Sequence, residues 1–86
     1  MRTRKQPLGD KNIIGERVKN IRKIKDIKQK ELLAQLQVRG VDMNSSGLSK
    51  LEGQVRGVND RELRALCEIF EVSADYLLGI SDSTKR

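Results

Sequence analysis

Three serines and a lysine stand close together in the stretch Asn44-Ser45-Ser46-Gly47-Leu48-Ser49-Lys50. Their side chains donate and accept hydrogen bonds and carry one positive charge. The chain has no histidine, which removes the commonest general base. It has one cysteine, Cys67, so no internal disulfide forms, and the usual zinc and iron ligand sets cannot be assembled. No nucleophile constellation is present either. The chemistry on offer is recognition by hydrogen bonding and charge. The expectation is therefore a binding protein, not an enzyme, with no cofactor and no metal.

These residues need a helix to present them. Asn44 is a good N-cap. On a helical wheel Leu48 and Leu51 point one way, with Gly47 beside them, while Ser45, Ser46, Ser49 and Lys50 point the other way. Any exposed helix face is polar, but such faces normally carry Glu, Lys and Gln rather than packed serines. Short polar side chains with a donor near a helix N-terminus suit base edges in the major groove of duplex DNA. Gly47 costs about 1 kcal/mol of helix stability relative to Ala. Either the helix approaches DNA or a neighbouring helix closely there, or the glycine is tolerated drift.

Charge points to a polyanion. The net charge is +6. Residues 1–58 hold 14 Lys and Arg against 6 Asp and Glu, a balance of +8, and residues 59–86 hold 4 against 6, a balance of −2. A basic front and a mildly acidic back suggest one surface facing a polyanion. Charge alone leaves membrane and nucleic acid both open. Only Phe70 and Tyr76 are aromatic, which poorly supplies the stacking that single-strand and RNA binders use. No apolar run approaches a membrane span and no signal-peptide pattern stands near the start, so the expected location is the cytoplasm.

The remaining elements follow from periodicity and punctuation. The 86 residues fit one small domain. Residues 1–9 read as a basic arm carrying Arg2, Arg4 and Lys5, with Pro7 and Gly9 as breakers. The arm either wraps DNA or is a solvated terminus. Asp10 is read as the N-cap of a first helix to about Lys25, with Ile14, Val18 and Ile21 on its apolar stripe and Ile13 and Ile24 slightly off it. A second helix runs from about Lys28 to Val38, with Leu32, Leu33 and Leu36 on one side and Gly40 as the C′ residue. After the short third helix, residues 53–58 form a loop containing Arg56. Asn59 and Glu62 make a capping box for a fourth helix, about Asp60 to Phe70. Its expected buried stripe is Leu63, Leu66, Cys67 and Phe70, with Cys67 a buried, inert thiol. Ser73 caps a last helix, Ala74 to Leu78, closed by Gly79. The domain spans 10–80 and a polar tail 81–86.

The pieces IGERVKNIRKIKDIKQKELL, SSGLSKLEG and RELRALCEIFEVSADYLLG, in this order and spacing, resemble the phage-repressor-like helix-turn-helix family, also called the Xre or Cro/repressor family. The resemblance covers residues 14–79. It implies an all-α, lambda-repressor-like compact bundle of five short helices whose second and third helices form the DNA-reading unit. It further implies base-reading by Ser45, Ser46, Ser49 and Lys50, and phosphate contacts by Lys28, Gln29, Asn44 and Arg56. It implies an ion pair between Arg22 and Glu52 that fixes the third helix. Three features depart from the family pattern: Lys28 stands where Thr is usual, Leu33 stands where Ala is usual, and the span from Gln29 to Asn44 is longer than common.

The expected function is a sequence-specific transcription regulator, a repressor that binds a near-palindromic duplex operator as a homodimer. Dimerisation is expected on the C-terminal apolar residues Val72, Tyr76, Leu77, Leu78 and Ile80. The alternative is a protein-interaction module of the same fold, an antitoxin or adaptor.

Overall fold

The computed structural model describes residues 11–84. It contains α1 (Gly15–Ile24), α2 (Gln29–Val38), α3 (Ser45–Glu52), α4 (Asp60–Phe70) and α5 (Ala74–Leu77), with no strand among the described residues. Among the described residues the chain therefore forms the expected all-α bundle of five short helices. Among the described residues no helix is long and apolar enough to cross a membrane. The basic arm and the Asp10 cap lie outside the described residues.

Side chains start most of these helices. The first backbone N–H groups of a helix lack partners within it, so a side-chain oxygen at the cap stabilises the start. The Asn44 Oδ1 accepts from the Gly47 N–H at 2.7 Å. At α4 the box is reciprocal: the Glu62 N–H donates to Asn59 Oδ1 at 2.8 Å, and the Asn59 N–H donates to Glu62 Oε1 at 3.2 Å. Ser73 Oγ accepts from the Tyr76 N–H at 3.0 Å. At α2 only half of such a box forms. The Lys28 N–H donates to Glu31 Oε1 at 2.8 Å, but an ammonium has no lone pair with which to return the bond. Asn59→Ala is expected to lower stability by about 1 kcal/mol, read as a shift in the chemical-denaturation midpoint.

Helix ends share one device. In α1, α2, α3 and α5 the second residue past the cap donates to the carbonyl five positions back: Ile27 to Arg22, Val41 to Leu36, Val55 to Lys50 and Ile80 to Asp75, all at 2.9 Å. This Schellman pattern needs a left-handed residue at C′. Gly40 and Gly79 supply it at φ +81° and +80°. At the other two helices Asp26 and Gln54 adopt it, at φ 58° and 64°.

The first helix starts later than expected. Residues 11–14 are not helical, because the Asn12 side chain takes the N–H groups of Ile14 and Gly15 and holds the chain in an Asx-type turn.

One core unites the elements. Val18 of α1, Leu32 and Leu36 of α2, Leu48 and Leu51 of α3, Leu66 and Phe70 of α4, and Leu77 of α5 are fully buried. Leu33 is only partly buried against this cluster, and Ile13 and Ile24 are exposed. The stripe of α4 is rotated from the expected one. Glu62, Ala65, Leu66 and Phe70 are buried, whereas Leu63 and Cys67 are half-buried. Glu62 occupies the inner face because its carboxylate serves both the cap and Arg56, so burial leaves it satisfied. The C-terminal apolar residues are also redistributed. Val72 and Leu77 belong to the core, Tyr76 and Leu78 are half-buried, and Ile80 alone of the five is exposed. The chain past α5 turns back, and the Ser73 N–H donates to the Thr84 carbonyl at 3.2 Å.

Candidate nucleic-acid interface

Helix α3 divides cleanly. Leu48 and Leu51 are fully buried, and Ser45, Ser46, Ser49 and Lys50 are all exposed, as is their cap residue Asn44. The two leucines lie three positions apart and drive the helix into the core. The four polar residues are then forced outward by the 3.6-residue period. Gly47 sits against its own cap. A Cβ there would meet Asn44 Oδ1 and Met43 Cγ, each at 3.2 Å, so the missing side chain makes room for the cap and not for α2.

The start of α2 is brought beside this face. The Gln29 Nε2 donates to Glu52 Oε1 at 3.1 Å and to Ser49 Oγ at 3.4 Å. Lys28, one residue earlier, is exposed and forms no ion pair with a described residue. Lys28, Gln29, Asn44, Ser49 and Lys50 therefore belong to one region of the surface or its immediate support.

Arg22 and Glu52 anchor α3 from below. The Arg22 Nε donates to Glu52 Oε2 at 2.7 Å and its Nη2 to Oε1 at 3.2 Å, while Nη1 donates to the Ile27 carbonyl at 2.9 Å. The side chains are 12% and 4% exposed. With Gln29 also on Oε1, the buried carboxylate has three donors. Such charge-assisted, bidentate contacts are the strong class of hydrogen bond.

Arg56 is placed differently from the other expected phosphate contacts. Its Nη2 and Nη1 donate to Glu62 Oε2 and Oε1 at 3.0 and 3.3 Å, so its fork faces the start of α4. A wider pattern is visible here. Arg17, Arg22, Arg39, Arg56 and Arg64 all pair with carboxylates. The described lysines, at 11, 19, 23, 25, 28, 30 and 50, pair with none, and all lie at or before position 50. Among the described residues the cationic charge without a carboxylate partner is thus mainly ammonium on long flexible stems, suited to a diffuse polyanion more than to planar, bidentate recognition.

Residues that sequence reasoning did not single out complete the support. Asn12 Nδ2 donates to the Leu51 carbonyl at 3.1 Å and the Arg56 carbonyl at 2.8 Å. Gln54 is buried, and its Nε2 donates to the Asn12 carbonyl at 3.4 Å. Gly15 abuts the Leu51 carbonyl so closely that no Cβ fits. An asparagine three positions before a helical glycine was a legible signal for the first of these. The acidic Asp10, also a cap type, competes with it in the sequence.

Among the described residues no group of three or more His, Cys, Asp or Glu could hold a metal ion. Leu63, Cys67, Val72 and Ala74 contribute to the lining of a groove of about 490 Å³ between α4 and α5. Comparisons of the chain with protein-family models, with curated proteins and with solved structures return no match.

Proposed function

We propose that the chain is a sequence-specific duplex-DNA binder of the phage-repressor-like helix-turn-helix type, acting in the cytoplasm as a transcription repressor. The observation that carries this reading is the outer face of α3. Four exposed residues, Ser45, Ser46, Ser49 and Lys50, form a small polar surface on a helix locked from below by Arg22–Glu52. A helix used for reading presents hydrogen-bonding side chains to base edges in the major groove and must be held rigidly. Lysine donates to guanine acceptors and serine bonds to several bases. Lys28 and the start of α2 flank this face and supply phosphate contacts. Two copies on a near-palindromic operator would place two such helices in successive major grooves. Of the C-terminal apolar residues, Ile80 is exposed, and with the groove beside Cys67 it offers apolar surface for that dimer. The same groove favours the second reading, a protein-interaction module such as an antitoxin or adaptor.

Operator selection from a random duplex library tests the reading. A consensus is expected with the wild type. Lys50→Ala and Ser46→Ala are each expected to relax preference at a base position, with a loss of about 1–3 kcal/mol on the selected site. Lys28→Ala is expected to leave the consensus intact and to reduce the slope of log K against log salt by about 0.9. Recovery of no consensus, or binding insensitive to salt, favours the protein-partner reading. An unchanged consensus in both α3 variants removes α3 as the reader.

A further inference from the structure

Asn12 uses every polar atom of its side chain. Its Oδ1 accepts from the Ile14 N–H at 3.0 Å and the Gly15 N–H at 2.7 Å, which starts α1. Its Nδ2 donates to Leu51 and Arg56 carbonyls that lie 39 and 44 positions away in the chain. One amide thus joins the beginning of α1 to the last turn of α3 and to the loop beyond. The backbone follows the same line, with the Lys11 N–H donating to the Gln54 carbonyl at 3.3 Å.

We propose that Asn12 is a positioning residue for sequence reading: it sets where α3 sits and touches no nucleic acid itself. The proposal rests on the reading of α3 as the recognition helix. Leu48 and Leu51 determine how deep α3 lies and which face it turns inward, but apolar contacts are non-directional and leave its tilt and its fine rotation less tightly held. Directional bonds do. Arg22 and Gln29 supply one set, to the Glu52 and Ser49 side chains, and Asn12 supplies the other, to the Leu51 backbone. Both act at the C-terminal turn of α3. Release of one lets the helix pivot, and the far end, with Ser45 and Ser46, travels most. Base contacts depend on that geometry, whereas phosphate contacts through flexible lysines tolerate it. Asn12 therefore acts on specificity more than on general affinity.

The test replaces Asn12 with a residue that keeps one role and drops the other. In Asn12→Ser the hydroxyl oxygen still suits a helix start, but it is too short to reach the Leu51 and Arg56 carbonyls. The comparison variant is Ser73→Ala, which removes the cap of α5 and leaves α3 untouched. Affinities are measured for the site selected by the wild type and for a random duplex of equal length, at a temperature where circular dichroism shows each protein folded. Asn12→Ser is expected to bind the selected site about tenfold more weakly, the loss of one good base contact. Its affinity for the random duplex is expected to stay within about twofold, since the phosphate contacts remain. Ser73→Ala is expected to keep the wild-type ratio. If Asn12→Ser does not fold, Asn12→Asp is measured in its place. It keeps both bonds to α1, and its added charge lowers both affinities, leaving the ratio as the readout. A wild-type ratio in the Asn12 variant, or an equal fall in Ser73→Ala, overturns the proposal while the DNA reading stands. A wild type with no preferred site overturns both.

Discussion

Arg22→Met is expected to destabilise the domain by about 3–5 kcal/mol, because it strands a buried carboxylate. Glu52 is only 4% exposed at its side chain. Without Arg22 it keeps the single Gln29 donor at 3.1 Å, too little to offset the loss of water around an ion. The substitution also frees the Ile27 carbonyl, which accepts from Arg22 Nη1 and ties the α1–α2 connection to the same point. Domains of this size have roughly 4–13 kcal/mol in total, so a large fraction of the stability goes. Urea denaturation followed by circular dichroism measures it. The double variant Arg22→Met/Glu52→Leu is expected to recover most of the loss, since an apolar pair of similar volume often replaces a buried ion pair at no cost. A single variant within about 1 kcal/mol of the wild type, the range of an exposed pair, contradicts the description of this site as a buried pair.

Gly15→Ala has a second large expected effect, and the two levels of description give it opposite signs. Helix propensity alone says that alanine in place of glycine stabilises by about 1 kcal/mol. In the folded chain the added Cβ would overlap the Leu51 carbonyl oxygen and crowd Gln54 Cγ at 2.9 Å. The overlapped atom is backbone and already accepts from Asn12, so it cannot swing aside like the end of a side chain. Relief requires α1 and α3 to separate, which strains the Asn12 bonds and the packing of Val18 and Leu51. Forcing extra volume into a packed contact costs about 1–3 kcal/mol, occasionally more. Because the overlapped atom is backbone, the cost lies at the upper end of that range, about 3 kcal/mol, so the net loss after the propensity gain is about 2 kcal/mol and the melting temperature falls by roughly 8–16 °C. A raised melting temperature would falsify the close approach of α1 to α3.

Much of the architecture was legible because it is local. The Asn44 cap, the Asn59–Glu62 box, the Ser73 cap and the Gly40 and Gly79 ends all involve residues within five positions of each other. Such signals act before any tertiary contact exists. The outward face of α3 was legible for the same reason, since two leucines three apart settle which way four polar neighbours must point. The Arg22–Glu52 pair, 30 positions apart, was not in the periodicity. It came from the likeness of three segments to a family.

Contacts between distant segments decided the rest. Whether Arg56 faces solvent or Glu62 depends on where the loop after α3 meets α4. Neither charge reveals that by its own position. Leu63 and Cys67 looked like core on an isolated wheel, but the wheel cannot say which neighbour arrives. The buried side of α4 turned toward Ala65 and Glu62, where that carboxylate finds both the Asn59 N–H and Arg56. Val72 and Leu77 looked available for a partner until the core claimed them. Composition and spacing by themselves determined a basic, all-helical chain with a serine-rich helix face. Only the tertiary structure decided what holds that face still. A hydrogen bond between Asn12 and Leu51 has no meaning in sequence, and exists only once packing has brought two carbonyls and one amide to the same place.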